Sequence, residues 1–312
     1  MAELNASRTA LRLTTSLALA LAFAASLVAR QAPPDLAYEK PALAALAKEK
    51  PPTAFPFDLS PFRVPVPDRH GLVAVNVQIP GGSLEFAADP KVGTYTAGAV
   101  VLVRFLNQGG QVVAKESEHF PFSGLLSEAK ATLSKPIVFS RQRDLPPGTY
   151  QLQVVVYDEA TSRASVLLKT YDVPEDTPVM VGDLMVVERA ERIDPAHPPD
   201  PTDPFVVGEF ILHPAFDPGI NRGLHPDLNF ILPVVLKAGV FPPTMRLTLL
   251  SEAGESLAST PLPIKPPEPN GKLFVVGRVP LAKIPPNKYT LQIAVGTFPD
   301  AIIRKSPLTV VD

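Results

Sequence analysis

Hydrophobic and polar residues alternate most regularly in residues 144–158. The side chains of Tyr150, Leu152, Val154 and Val156 fall on one face of an extended chain, and glutamines separate the first three of them. Because successive side chains of a β-strand point to opposite faces, this period of two predicts a half-buried strand.

A turn signal precedes this strand, and the whole pattern occurs twice. Pro146 and Pro147 impose extended backbone, and Gly148 permits a tight turn. The pattern recurs 139 residues later (Tyr150 to Tyr289), in residues 283–295. There an asparagine replaces the glycine, and asparagine also tolerates positive φ. The chain therefore uses one architectural unit twice.

Each half of the chain also contains a predicted hairpin ahead of this motif. Residues 100–119 form one hairpin around an Asn-Gln-Gly-Gly turn, and residues 245–260 form the other around Ser-Glu-Ala-Gly. About seven short strands over roughly 105 residues match the size of an immunoglobulin-like domain. The sequence predicts an all-β fold of two tandem immunoglobulin-like or fibronectin III-like β-sandwiches after an N-terminal apolar helix.

Four segments follow from this organisation. Residues 1–30 are a predicted signal peptide or signal anchor, and residues 31–67 are a proline-rich connector. Residues 68–175 form the first predicted sandwich domain, and residues 176–312 form the second. A stretch rich in proline and acidic residues, 172–178, separates the two domains.

The N-terminal segment has the pattern of an export signal. Arg8 and Arg12 precede the uncharged run 13–29, which is rich in leucine and alanine. This run is at the short edge for a membrane span, which needs roughly 20 apolar residues. Both a cleaved signal and an uncleaved anchor remain open. We expect an exported protein, periplasmic or extracellular, that contacts a membrane only through this segment.

Composition narrows the fold and the partners further. Proline accounts for 38 of 312 residues, which favours short strands with rigid connections over helices. The net charge of −2, from 29 basic and 31 acidic residues, disfavours nucleic acid as a partner. The chain has no cysteine, so disulfides, thiolate metal sites and cysteine nucleophiles are excluded.

No motif of a known catalytic chemistry occurs in the sequence. Gly-x-Ser-x-Gly, His-Glu-x-x-His and the phosphate-binding Gly-x-x-x-x-Gly-Lys-Ser/Thr are all absent. We therefore expect no catalytic residues, no cofactor and no enzyme activity.

The polar loops at 193–227 have the composition that most favours a ligand site. Carboxylates and imidazoles gather there, and oxygen-rich loops bind calcium. They lack the regular order of a calcium loop, so we expect no metal site and retain only weak candidates. These candidates are Asp194, Asp200, His213 and His225.

Tyr150 and Tyr289 are candidates for a structural role. In β-sandwiches, a tyrosine just after the turn into a late strand often donates its hydroxyl to the backbone, the tyrosine corner. Their position in the repeat accounts for both residues without any chemistry.

The motif in residues 145–154, followed by Asp158 and closed by Val173 and Pro174, resembles a known arrangement. It is similar to the C-terminal β-sandwich accessory region of acidobacterial von Willebrand factor A-related (VWFA-related) proteins. The resemblance covers roughly residues 40–190. This sequence contains no Asp-x-Ser-x-Ser adhesion motif and no A domain. The resemblance implies exported, β-rich, non-catalytic interaction modules.

The function we expect is therefore a non-catalytic exported binding or scaffolding protein of the cell envelope, with an unidentified protein partner. One alternative is an enzyme or a metal- or ligand-binding module with its site in the 193–227 loops. Another is a carbohydrate-binding module, which the absence of tryptophan disfavours because sugar platforms use exposed aromatic rings.

Overall fold

The computed structural model describes residues 34–67, 71–199, 205–215 and 219–312. Antiparallel strands dominate it, which confirms the predicted all-β sandwich fold. The apolar segment 13–29 and the candidate ligand Asp200 lie outside the described residues.

The first domain contains two antiparallel sheets. One sheet has the order β1-β2-β6, with β1 (Asp58–Val64), β2 (Leu72–Ile79) and β6 (Ile137–Asp144). The other sheet consists of β3 (Ala87–Asp89), β4 (Thr94–Leu106), β5 (Val112–Leu125), β7 (Gly148–Asp158) and β8 (Arg163–Val173). The predicted hairpin is β4 and β5. A 3₁₀ turn (Leu126–Glu128) and the helix α2 (Ala129–Leu133) connect β5 to β6.

Because side chains alternate between the two faces of β4 and β7, each face of their sheet packs against a different set of residues. Val103, Phe105 and Val154 point into the core shared with the β1-β2-β6 sheet. Val100 and Leu102 point the other way and are also fully buried. The strand is therefore covered on both faces, which explains its nearly continuous apolar sequence.

The helix α1 (Lys40–Leu46) covers this outer face. It follows a 3₁₀ turn (Ala37–Glu39), and Pro41 occupies a first-turn position that needs no N–H. Ala42 and Ala45 are buried against β4, β7 and β8, because their small side chains let the helix lie close to the sheet.

The predicted connector, residues 31–67, thus contains two elements that pack on the first domain, α1 and β1. The sequence pattern did not indicate β1, because Pro61 interrupts it. The strand tolerates proline since it lies at the sheet edge and pairs only with β2.

A buried cluster of charges holds the segment before α1 in place. The Lys115 ammonium donates to a Glu39 carboxylate oxygen at 2.7 Å and to Asp35 at 2.9 Å. The Leu36 N–H also donates to Glu39, at 2.9 Å. Glu39 is 1% exposed, so its charge depends on these partners.

The pKa values of the pair reflect this arrangement. Burial raises the pKa of Glu39, but the hydrogen bonds from Lys115, Ser117 and the Leu36 N–H outweigh it, so the net pKa is lowered. Burial lowers the pKa of Lys115, but its bonds to Glu39 and Asp35 outweigh that effect and raise it. Both shifts favour the charged forms.

The second domain is also built from two sheets. One contains β9 (Val179–Val181), β10 (Met185–Arg192), β11 (Val206–Val207), β12 (Phe210–Pro214), β14 (Asp227–Leu236) and β17 (Lys272–Pro280). The other contains β13 (Gly219–Asn221), β15 (Met245–Ser251), β16 (Ser256–Pro261), β18 (Asn287–Val295) and β19 (Ile302–Val311).

Strand pairing gives a residue-by-residue correspondence between the two copies. Phe105 lies opposite Leu152 in the first domain, and Leu249 lies opposite Leu291 in the second. The one interpretation that fails concerns the turn. Gly148 has φ 154°, but Asn287 is not among the residues with positive φ, so asparagine is not required there for its backbone.

The two sandwiches share an apolar interface formed by their facing sheets. Phe62 and Ala74, from β1 and β2, pack with Met185, Ile231 and Phe205 of the second domain. The rings of Phe62 and Phe205 meet edge to face, with 6.3 Å between centroids. Strand β2 is consequently buried on both faces over most of its length.

The buried Arg63 and the half-buried Asp183 form a polar junction beside this interface. The Arg63 N–H donates to Asp183 Oδ2 at 2.7 Å, and the Asp183 N–H donates to the Arg63 carbonyl at 2.9 Å. Tyr171 donates its hydroxyl to the same carboxylate at 3.1 Å. Arg304, from β19, donates to the carbonyls of Val181 and Gly182 at 2.9 Å each.

Close packing and burial make the junction sensitive to change. A Cβ atom on Gly182 would lie 2.6 Å from the Arg63 carbonyl oxygen, so only glycine fits. Arg63 is 2% exposed. Burial and the neighbouring Arg304 lower its pKa, and Asp183 opposes that shift. Burial and the Asp183 carboxylate raise the pKa of Tyr171 well above its usual value.

Replacing Asp183 with alanine is expected to destabilise the protein by about 3 kcal/mol. The Arg63 N–H and the Tyr171 hydroxyl lose their acceptor, and the buried Arg63 guanidinium loses a neighbouring negative charge. Urea unfolding measures the loss. Asp172→Ala, at an exposed position on β8 close in sequence to Tyr171, is the matched control and should cost less than about 0.5 kcal/mol. Equal losses for the two variants would contradict the role of the junction.

Stability should fall in acid partly through Glu39. A carboxylate with a lowered folded-state pKa contributes stability above its unfolded pKa, near 4.5, and loses it as pH falls through the folded value. Thermal melts at pH 7, 5, 4 and 3 should therefore show a smaller acid shift for Glu39→Gln than for the wild type. The exposed Glu49→Gln serves as control. An unchanged acid shift in Glu39→Gln would refute this assignment.

Candidate functional site

The two tyrosines of the repeat bind the backbone of their own turns. The Tyr150 hydroxyl donates to the Pro146 carbonyl at 2.7 Å, and the Tyr289 hydroxyl donates to the Pro285 carbonyl at 2.8 Å. In each copy the acceptor is the first proline of the Pro-Pro turn. These bonds fix the turn relative to the strand that follows it, and burial raises the pKa of Tyr150.

Asp194 lies in the exposed loop after β10. Its carboxylate accepts the Ala196 N–H at 2.9 Å and lies 2.9 Å from His197 Nδ1. The hydrogen bond with His197, and then the one from Ala196, lower the pKa of Asp194. The aspartate thus organises a local turn on the surface.

His213 lies on β12, opposite Arg189 of β10. Its Nε2 atom is 3.2 Å from Glu191 Oε2 and 3.3 Å from Arg189 Nη2. These contacts form a cross-strand ladder of charged groups at a solvent-facing position, which is common on sheet surfaces.

The structure gives Asp194, His213 and His225 separate neighbours. Within the described ranges, no group of three or more His, Cys, Asp or Glu side chains is arranged to hold a metal ion. The fourth candidate, Asp200, is outside those ranges.

His225 instead contributes to a small polar pocket of about 160 Å³ at the domain boundary. Glu188 and Asp227 supply carboxylates, and Gln78 reaches it from strand β2 of the first domain. Asp227 also pairs with Arg278 at 3.5 Å. The pocket offers hydrogen-bond acceptors to a small polar molecule.

A larger groove of about 370 Å³ runs beside the Arg63–Asp183 junction. Residues of β1 form one wall, and residues of β8 and β19 complete it. Lys169 and Lys305 line it with exposed ammonium groups, whereas Tyr171 and Asp183 form its floor. Ligand sites occur preferentially at domain interfaces, so this interdomain groove is the candidate functional site.

Sequence reasoning missed the groove because its walls come from distant parts of the chain. Arg63 and Asp183 are 120 residues apart. The signal that was present is a charged residue, Arg63, between the apolar residues Phe62 and Val64, since a buried charge requires a partner. In the described part of the chain, no helix is long and apolar enough to cross a membrane.

No protein-family model matches the chain, and no curated protein matches it. The solved structures that match the chain include the β-glucuronidase of Bifidobacterium dentium complexed with coumarin-3-O-glucuronide. Its identity is 12% over 82% of this chain and 48% of that one, with a TM-score of 0.27.

Two further structures are similarly distant. The BSP domain of a biofilm associated protein is 11% identical over 85% of this chain and 53% of that one, with a TM-score of 0.22. The β-D-glucuronidase of Dictyoglomus thermophilum is 11% identical over 84% of this chain and 45% of that one, with a TM-score of 0.22. The chain thus spans about half the length of these proteins.

Removing either turn-fixing hydroxyl should weaken the fold. Tyr150→Phe and Tyr289→Phe are each expected to cost about 1 kcal/mol, because a backbone carbonyl loses its donor. Urea unfolding measures the change. Tyr157→Phe, whose hydroxyl makes no hydrogen bond with the described residues, is the matched control. If all three variants unfold alike, the hydroxyls do not stabilise the turns.

Proposed function

We propose that this chain is a non-catalytic binding or scaffolding protein of the cell envelope. The observation that carries the proposal is the Arg63–Asp183 junction, which connects two β-sandwiches through partly buried hydrogen bonds. Two modules held in one arrangement present their surfaces at a set separation. A partner then binds without the cost of ordering a flexible linker.

The interdomain groove is the surface that we assign to the partner. Lys169 and Lys305 place two exposed ammonium groups along it, and the carboxylate of Asp183 is already engaged by Arg63 and Tyr171. An acidic, extended segment of a protein partner complements this charge pattern.

Export is supported by the sequence of the N-terminal segment. Two arginines precede an uncharged run of leucine and alanine, the order found in secretory signals. We also propose a relationship to the accessory region of VWFA-related proteins, on the motif in residues 145–154. That relationship is compatible with an exported interaction module.

Site-specific photo-crosslinking in the producing cells tests the proposal. The full chain carries a benzophenone amino acid at Lys305, in the groove, or at exposed Lys265 outside it. We expect a discrete crosslinked protein in the envelope fraction for the groove position, at least about tenfold above the control position.

The same experiment tests the route to the envelope. The double substitution Leu19→Arg with Leu21→Arg places charge within the apolar run and should abolish both export and the crosslink. Leu19→Ile with Leu21→Ile should leave both unchanged. A groove crosslink no stronger than the control, or one made only in the cytoplasm, would rule out the proposed role.

A further inference from the structure

The second domain contains a cavity of about 550 Å³ between its two sheets. It opens at the sandwich edge between β16 and β17, each of which pairs with one neighbouring strand among the described residues. All six residues of β16 are exposed. This volume lies within the range of small-molecule sites, which runs from roughly 300 to 1,000 Å³.

At the corresponding place in the first domain, an aromatic side chain occupies the space. Phe105 fills the space beside Tyr150 there, with its ring edge to face at 6.4 Å between centroids, and is 1% exposed. Strand pairing makes Leu249 the counterpart of Phe105, and it lines the cavity together with Tyr289. A smaller side chain in the second copy leaves space open.

The corresponding edge of the sandwich also differs, since ion pairs between described residues close it in the first domain and not in the second. Glu116 and Glu118 of β5 form ion pairs with Arg143 and Arg141 of β6, which tie the two sheets together. Glu116 lies opposite Val103 in the sheet. The counterpart of Glu116 on β16 is Thr260, opposite Leu247, so this position carries no charge to make such a pair.

The cavity lining combines an apolar interior with a cationic rim. Its interior is formed by aliphatic side chains that include Leu247, Leu249, Val279, Ile284 and Leu291. Two exposed cations line the opening, Arg278 and Lys283. Arg278 already pairs with Asp227, whereas Lys283 makes no ion pair with a described residue. None of the described lining residues is acidic.

We propose that this cavity binds an anionic amphiphile, with its hydrocarbon chain between the sheets and its carboxylate or other anionic head at Lys283. Apolar walls bury the chain, and the rim supplies the only charge that the head can meet in the described lining. Opposite charge at the opening selects anionic over cationic head groups. The proposal concerns the second domain alone and goes beyond the envelope role, which depends on the interdomain groove.

Isothermal titration of the purified, delipidated full chain tests the site. Sodium dodecanoate is the probe, below its micellar concentration, and dodecyltrimethylammonium has the same tail with the opposite charge. We expect dodecanoate to bind one per chain, at least about tenfold more tightly than the cation. Lys283→Gln should weaken dodecanoate about fivefold, and Lys288→Gln, a nearby exposed lysine outside the lining, should not.

Leu249→Phe copies the first domain and should weaken dodecanoate at least about tenfold while the thermal midpoint stays the same or rises. If that variant does not fold, Leu257→Glu provides the same test, because Leu257 is 54% exposed and lines the opening. Equal affinity for both head groups, binding only above the micellar concentration, or full binding by the folded cavity variants would overturn the proposal.

Discussion

The structure depends on one partly buried interaction, the pairing of Arg63 with Asp183. Arg63 is the penultimate residue of β1 in the first domain, and Asp183 follows the first strand of the second domain. Each residue donates its N–H to the other, and Arg304 adds donors to the same turn. A buried charge without its partner is costly, so the two sandwiches are stable together only in the arrangement that completes these bonds.

The two copies of the repeated unit differ in how tightly their cores and edges are closed. The first copy is closed: Phe105 fills its core, ion pairs from Glu116 and Glu118 seal its edge, and α1 covers its outer sheet. The second copy keeps the strand order of the hairpin and the tyrosine turn but leaves the space beside Leu249 open. The two copies share one strand arrangement, while side-chain volume and charge differ between them at a few positions.

The strands, the hairpins and the repeat could be predicted from the sequence because they depend on local periodicity and turn residues. The junction could not, because Arg63 and Arg304 meet turn 181–183 only after more than a hundred residues of chain have folded. Strand β1 could not be predicted because Pro61 interrupts its pattern, although a strand at the sheet edge tolerates proline. The cavity could not be predicted either, because a hydrophobic pattern does not distinguish Phe105 from Leu249, although their side-chain volumes differ. Periodicity also cannot indicate which of the candidate ligands in the 193–227 loops come close together in space.

The central claim, that the junction holds the two sandwiches as one body, is tested most directly by a distance measurement between them. The chain has no cysteine, so Gln151→Cys and Arg246→Cys, at exposed strand positions in different domains, accept spin labels without further changes. Electron–electron double resonance should give one narrow distance distribution, which Asp183→Ala broadens. A broad or multiple distribution in the chain with its junction intact would contradict the account.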